Sequence, residues 1–131
     1  MTQTSPSAVI TGASTGIGHA CTAGLAAKGW HVFAGVRKQA DIDRLKAEFG
    51  AAVTPLIMEV TDTASMQSAA DTVRAALNGV TLKGLINNAG IAVAGPMLSV
   101  PIEEFEHQID VNVTGVVRTT QAFGPLLGAD E

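Results

Sequence analysis

Short apolar runs rich in β-branched residues alternate along the chain with segments in which apolar residues recur every three or four positions. The first pattern is typical of buried strands, and the second is typical of helices that pack one face on a sheet. Their regular alternation predicts βαβ units and a parallel sheet, so we expect an α/β fold. The predicted strands cover about 8–11, 31–36, 53–60 and 85–87, and the predicted helices cover about 16–28, 42–49, 63–77 and 102–127.

Turn and cap residues mark the junctions between these elements. Gly29 fits the left-handed position after the first helix, and Asp41 is a candidate cap for the second. Pro55 cannot donate a hydrogen bond to a neighbouring strand, so the third strand is expected at an edge of the sheet. These features predict a doubly wound parallel sheet of about four strands in the order 3-2-1-4, with helices on both faces.

Composition excludes several classes of function. The 131 residues are 47% hydrophobic and carry a net charge of −4, which gives no electrostatic footprint for nucleic acid or anionic lipid. No segment resembles a membrane span or a secretion signal, so a soluble, cytoplasmic protein of one domain is expected. Cys21 is interpreted as a small packed residue, and the histidines lack metal-ligand spacing, so no metal site is predicted.

The most informative segment is the glycine-rich turn between the first strand and the first helix. Gly12 permits a tight turn, Gly16 lets a phosphate approach the backbone, and Gly18 lets the helix pack closely on the strand. Bare N–H groups at a helix N-terminus attract the diphosphate of a dinucleotide, so this turn predicts a dinucleotide site. The residues assigned to it are Gly12, Ser14, Thr15, Gly16, Ile17 and Gly18.

Four short motifs resemble those of the short-chain dehydrogenase/reductase family, in the same order and at similar separations. They are Thr-Gly-Ala-Ser-Thr-Gly-Ile-Gly at 11–18, Glu-Val at 59–60, Asn-Asn-Ala-Gly at 87–90 and Asp-Val-Asn-Val at 110–113. The resemblance extends over essentially the whole chain. It implies a Rossmann-type sheet that binds a nicotinamide dinucleotide across the carboxyl ends of its strands, and hydride transfer involving a carbonyl or an alcohol.

The end of the second strand bears on the choice of cofactor. Where NAD-preferring family members carry an acid that binds the adenosine ribose, this chain has Val36, followed by Arg37 and Lys38. A guanidinium can bind a 2′-phosphate through two hydrogen bonds, whereas an acid would repel it, so NADP(H) is favoured and NAD(H) remains possible. The alternative is that the two cations only form a solvated loop.

The same resemblance assigns further contacts. Glu59 aligns with an aspartate that holds the adenine amino group, although an ordinary acid at a strand end is the alternative. The backbone of Val60 is assigned to the adenine as well. Asn112 matches the helix asparagine that holds a water molecule of the proton relay, and it is the one catalytic residue assigned in this chain. The residues assigned nearest the cofactor ribose are Asn88, Ala89 and Gly90.

The chain contains no tyrosine. In the family, a tyrosine exchanges the proton and a lysine four residues later lowers its pKa. We therefore expect 1–131 to be a single NAD(P)-binding domain, the N-terminal part of a longer domain with a seven-stranded sheet, and to be inactive alone. A non-catalytic dinucleotide-binding or interaction module is the alternative, because a fold alone does not establish an activity.

The resemblance also implies partners. The full protein would act on a small carbonyl or alcohol, and it would form a homo-oligomer through its last helix. The apolar stripe of that helix is expected to face the sheet first and a second subunit second. The stripe consists of Val113, Val116, Val117, Phe123 and Leu126.

Overall fold

A computed structural model describes residues 5–128. Its centre is a four-stranded parallel sheet in the order β3-β2-β1-β4, which confirms the predicted strand order. Pro55 lies on the edge strand β3, opposite Ala34, where its missing N–H group costs least. The strands are β1 (Ser7–Ile10), β2 (His31–Val36), β3 (Val53–Ile57) and β4 (Gly84–Ile86).

Helices connect the strands and cover both faces of the sheet. The last helical stretch is divided by a π-helical turn at Asp110–Thr114. Short 3₁₀ turns at Gly50–Ala52 and Gly124–Leu126 follow the second and the last helix. The helices are α1 (Gly16–Ala27), α2 (Gln39–Phe49), α3 (Thr63–Leu77), α4 (Ile102–Ile109) and α5 (Gly115–Phe123).

Two apolar cores lie on opposite faces of the sheet, because successive strand residues point to opposite sides. Val9 and Phe33 belong to the core that contains residues of α3 and α5. Ile10 and Val32 belong to the core under α1 and α2, and Cys21 packs half-buried against it. Both faces of the central strands are therefore buried, as expected of a parallel sheet.

Three predicted boundaries are wrong by more than one residue. The last helix ends at Phe123, not at residue 127, and a 3₁₀ turn that contains Pro125 follows it. The third strand ends at Ile57, not at residue 60, because its pairing partner β2 ends at Val36 and the chain then turns. Helix α2 begins at Gln39, after an extended Lys38, so Asp41 is not its cap. The carboxylate of Asp41 lies within the first turn, where a negative charge still favours the helix.

The predicted packing stripe of the last helix is also partly wrong. Val113 and Val117 are exposed, while Phe123 is buried as expected. Gly115 and Thr119 face the interior instead, and a Cβ on Gly115 would lie only 3.0 Å from Cγ2 of Val60. Gly115 lets this helix approach the loop after β3 closely, and the larger Val113 and Val117 point to solvent.

Candidate functional site

The glycine-rich turn after β1 is folded tightly against the segment that follows β4. Gly12 and Gly16 adopt φ values of +64° and +60°, which side chains rarely tolerate. A Cβ on Gly12 would lie 2.8 Å from Cα of Ala89, and a Cβ on Gly18 would overlap the carbonyl oxygen of Gly12. Beside Gly16, by contrast, the space is open. Gly12 is therefore required for both packing and backbone conformation, Gly18 for packing, and Gly16 for backbone conformation.

Thr11 joins the end of β1 to the end of the neighbouring strand β4. Its buried hydroxyl oxygen accepts hydrogen bonds from the backbone N–H groups of Asn88 and Ala89, each at 3.0 Å. In return, the side-chain amide of Asn88 donates to the carbonyl oxygens of Thr11, at 3.2 Å, and Gly12, at 3.0 Å. These reciprocal bonds fix the two loops relative to each other. Thr11 begins the first sequence motif, but the motif alone predicts no role for it.

A cleft of about 700 Å³ opens at the carboxyl ends of the strands, where ligands of open α/β sheets bind. It brings together most of the predicted residues. Two predicted glycines do not line it: Gly16, which begins helix α1, and Gly18, which packs against the carbonyl of Gly12. The predicted residues that line the cleft are Gly12, Ser14, Thr15, Ile17, Arg37, Glu59, Val60, Asn88, Ala89 and Gly90.

The turn presents unused hydrogen-bond donors. Helix α1 begins at Gly16, and the first N–H groups of a helix have no partner within it. Within residues 5–128, no backbone oxygen accepts a hydrogen bond from the N–H groups of Ser14, Thr15, Gly16 or Ile17. The side chain of Ile17 is 75% exposed, which leaves the helix start open to solvent. This arrangement suits an anion.

The wall formed by the end of β2 and the start of α2 carries positive charge. Arg37 and Lys38 are exposed and line the cleft. Neither forms an ion pair with a carboxylate among the described residues. Asp41, on the same wall, pairs with Arg44 at 3.0 Å. Arg44 is not among the residues predicted from sequence, because nothing in the local pattern connects it with the glycine-rich turn.

Glu59 and Val60 form another part of the wall. The Glu59 carboxylate accepts a hydrogen bond from the hydroxyl of Thr61 at 3.0 Å, so it is held within its own loop. The carbonyl oxygen of Val60 accepts a bond from Arg118 at 3.1 Å, and Arg118 also pairs with Asp110 at 2.6 Å. Helix α5 therefore supports this loop from behind.

Asn112 lies on the π-helical turn and does not line the cleft. Its side-chain oxygen accepts from the N–H group of Ile91 at 2.8 Å, and its amide donates to the Ile91 carbonyl at 2.7 Å. Ile91 itself lines the cleft. In this geometry, Asn112 fixes the loop after Gly90, and one amide hydrogen and one oxygen lone pair remain for another partner.

Other kinds of site are less well supported in the part of the chain that the structure describes. No group of His, Cys, Asp or Glu side chains there could hold a metal ion. No described helix has both the length and the apolar character needed to cross a bilayer. His19 pairs with Glu48 at 2.9 Å, and His31 bonds to the hydroxyl of Thr54 at 2.7 Å, so both have structural partners.

Comparison with known proteins agrees with this geometry. A family model described as short chain dehydrogenase matches residues 6–131. This chain belongs to the short-chain dehydrogenase family. It is 38% identical over 124 residues to an NADPH-dependent 3-dehydrocapnine reductase of Ornithobacterium rhinotracheale, an alignment that covers 95% of this chain and 44% of that protein. It is also 38% identical to a 1-deoxy-11-beta-hydroxypentalenate dehydrogenase of Streptomyces avermitilis, covering 92% of this chain and 46% of that protein.

Solved structures of the family share the fold. A carbonyl reductase from chicken fatty liver, solved with NADPH bound, superposes with a TM-score of 0.84 at 32% identity, over 93% of this chain and 51% of that one. A short-chain dehydrogenase from Streptomyces avermitilis superposes with a TM-score of 0.86 at 27% identity, over 94% of this chain and 44% of that one. The chain thus spans about half the length of these relatives.

Proposed function

We propose that the chain binds NADP(H) in this cleft, with the diphosphate at the glycine-rich turn. The observation that carries the proposal is the conjunction of two unused features on one cleft. The N–H groups of Ser14 to Ile17 donate to no described backbone oxygen, and the cations Arg37 and Lys38 have no described carboxylate partner. The first feature suits a diphosphate, and the second suits an additional phosphate.

NADP(H) is preferred over NAD(H) in this proposal because of the β2 end. Val36 cannot accept hydrogen bonds from ribose hydroxyls through its side chain, whereas Arg37 and Lys38 can bind a 2′-phosphate. The NADPH in the names of two relatives supports the same preference. NAD(H) would use the same turn, but without the attraction of the two cations.

The remaining wall residues receive the other parts of the cofactor. Glu59 and the backbone of Val60 would hold the adenine. Asn88, Ala89 and Gly90 would hold the ribose, and the bonds that Thr11 makes to this segment would keep it in place.

The reaction proposed for the full protein is hydride transfer to or from a small carbonyl or alcohol. The nicotinamide, when bound, supplies the hydride chemistry. Residues 1–131 are proposed to form a single NAD(P)-binding domain, with Asn112 as the catalytic residue that holds a water molecule through its remaining hydrogen-bond capacity. The chain holds no tyrosine to exchange the proton, so we propose that it binds the cofactor without turnover.

Location and assembly complete the proposal. The protein is proposed to act in the cytoplasm and to form a homo-oligomer through its last helical stretch, where Phe105 of α4, Val113 of the π-helical turn and Val117 of α5 are exposed. Light scattering coupled to size-exclusion chromatography measures the molar mass of the protein in solution, which should be a multiple of the mass of one chain. The mass of one chain at all protein concentrations would contradict the proposed homo-oligomer.

Calorimetric titration of the 131-residue chain with NADPH and with NADH tests the cofactor assignment. NADPH is expected to bind more tightly. Replacing Arg37 and Lys38 together with Gln removes charge-assisted hydrogen bonds, each of about 1.5–3 kcal/mol, so NADPH affinity should fall at least about 10-fold. NADH affinity should change less than about 3-fold, because NADH has no 2′-phosphate.

Lys28→Gln is the matched control, because Lys28 follows the C-terminus of α1, at the end of the helix remote from the turn. It should leave both affinities unchanged. If neither cofactor binds the unmodified chain, the proposal is wrong.

Turnover of NADPH with a panel of carbonyl compounds by the chain alone would contradict the proposed inactivity. A Tyr-x-x-x-Lys segment encoded after codon 131 would favour the enzyme over a non-catalytic binding module.

A further inference from the structure

A guanidinium group of helix α2 reaches across to the glycine-rich turn. Nη2 of Arg44 donates to the carbonyl oxygen of Ser14 at 2.6 Å and to Oδ1 of Asp41 at 3.0 Å. Ser14 lies 30 residues before Arg44, so only the packing of α2 beside the turn brings them together. A charged donor at such a distance makes one of the stronger hydrogen bonds available to a protein.

The bond to Ser14 fixes the direction of a whole peptide unit. A trans peptide is planar, and its C=O and N–H groups point in opposite directions. Because the carbonyl of Ser14 points at Arg44, the N–H group of Thr15 points away from α2. That N–H group donates to no backbone oxygen in residues 5–128, and Thr15 lines the cleft. Arg44 therefore holds one free donor of the turn in orientation.

The bond to Asp41 acts on the charge of the wall. Asp41 lines the cleft together with Arg37 and Lys38, and its uncompensated carboxylate would repel a phosphate bound there. Arg44 pairs with this carboxylate. Counted with Arg37 and Lys38, these four side chains carry a net charge of +2. Without Arg44 their net charge would be +1. An exposed pair of this kind contributes little to folding, since the Arg44 side chain is 44% exposed.

We propose that Arg44 is a positioning residue of the cofactor site with two separable effects. It orients the peptide between Ser14 and Thr15 for the diphosphate, and it neutralises Asp41 so that the β2 end favours a 2′-phosphate. This inference rests on the proposed function, because both effects act on a bound dinucleotide.

The two effects predict different patterns of affinity. Loss of the Ser14 bond should weaken NADPH and NADH alike, since both carry the diphosphate. Loss of the Asp41 pair should weaken NADPH alone, since only NADPH carries the 2′-phosphate. Arg44→Gln should therefore lower NADH affinity about 5-fold through the lost Ser14 bond. It should lower NADPH affinity about 15-fold, because the unpaired Asp41 carboxylate adds a further factor of about 3.

A second substitution separates the effects. In Asp41→Asn/Arg44→Gln the repelling carboxylate is gone, so the ratio of NADPH to NADH affinity should return to that of the unmodified chain. The common 5-fold loss should persist, because the Ser14 carbonyl still lacks its donor. Arg44→Lys keeps the charge and should recover most of the ratio, with part of the common loss remaining.

Lys46→Gln is the matched control, because it removes one positive charge from the same helix without a described bond to the turn. Calorimetry with both cofactors and urea unfolding would be measured for each variant. Arg44→Gln binding that equals Lys46→Gln binding would overturn the inference while leaving the proposed function intact. The charge effect would be overturned if Arg44→Gln lowered NADPH and NADH affinity equally and Asp41→Asn/Arg44→Gln showed the same two losses. Failure of the unmodified chain to bind either cofactor would instead refute the proposed function.

Discussion

Thr11→Val is expected to destabilise the protein and the site together. Valine has nearly the shape of threonine, so the substitution removes one hydroxyl at a side chain that is 1% exposed. The N–H groups of Asn88 and Ala89 both lose their acceptor. Leaving a buried donor unsatisfied costs about 1–3 kcal/mol.

Asn88 and Ala89 are only half-buried, so water can reach their amides in part, and the cost for each N–H group should be about 1–2 kcal/mol. We therefore expect the free energy of unfolding to fall by about 2–4 kcal/mol for the two groups. A domain of this size has about 5–15 kcal/mol in total, so the loss is large but need not abolish folding.

Urea unfolding followed by circular dichroism measures this loss as a lower midpoint at unchanged slope. Thr11→Ser is the control, since it keeps the hydroxyl and removes one methyl group, which should cost about 1 kcal/mol. A Thr11→Val variant as stable as Thr11→Ser would refute the role given to the hydroxyl. NADPH affinity should fall in the valine variant as well, because the segment after β4 loses its attachment to β1.

Two further predictions concern other features of the fold. Gly18→Ala should lower the free energy of unfolding by about 1–3 kcal/mol and weaken NADPH binding, because its Cβ would overlap the Gly12 carbonyl. Gly24→Ala is the control: it has open space around it and should stabilise α1 by up to about 1 kcal/mol. Urea unfolding measures both changes. Burial lowers the pKa of His31 below its ordinary value of 6.5. Below about pH 6.5 the unfolded chain therefore takes up a proton that the folded chain does not, and the free energy of unfolding should fall as the pH decreases. Above about pH 6.5 His31 is neutral in both states and should contribute no pH dependence. In His31→Gln the difference in unfolding free energy between about pH 8 and about pH 5.5 should be smaller, and an equal difference in both proteins would refute this origin.

Most of the fold could be predicted from local patterns. The bounds of β2 and the edge position of β3 follow from an apolar run and a proline, both of which act within a few residues. The errors concern interactions between elements. The end of β3 depends on where its partner β2 stops. The exposure of Val113 and Val117 depends on which face of the last helix packs on the loop after β3. Neither is encoded in the periodicity of a single segment.

The candidate site divides in the same way. Residues that would contact the cofactor directly, such as Arg37, lie in recognisable motifs at strand ends. Residues that hold those motifs in place do so from a distance, since Thr11 contacts backbone 77 and 78 residues away and Arg44 contacts backbone 30 residues away. Their roles became visible only with the structure.

This division has a measurable consequence for the variants above. A residue that only contacts the cofactor should alter affinity and leave stability unchanged, as expected for Arg37 and Lys38. A buried residue that joins two strands should alter both, as expected for Thr11. Arg44 belongs between them, because its ion pair is exposed but its bond to Ser14 orients the turn. Plotting affinity loss against stability loss for these variants would therefore separate binding, positioning and structural residues without a bound complex.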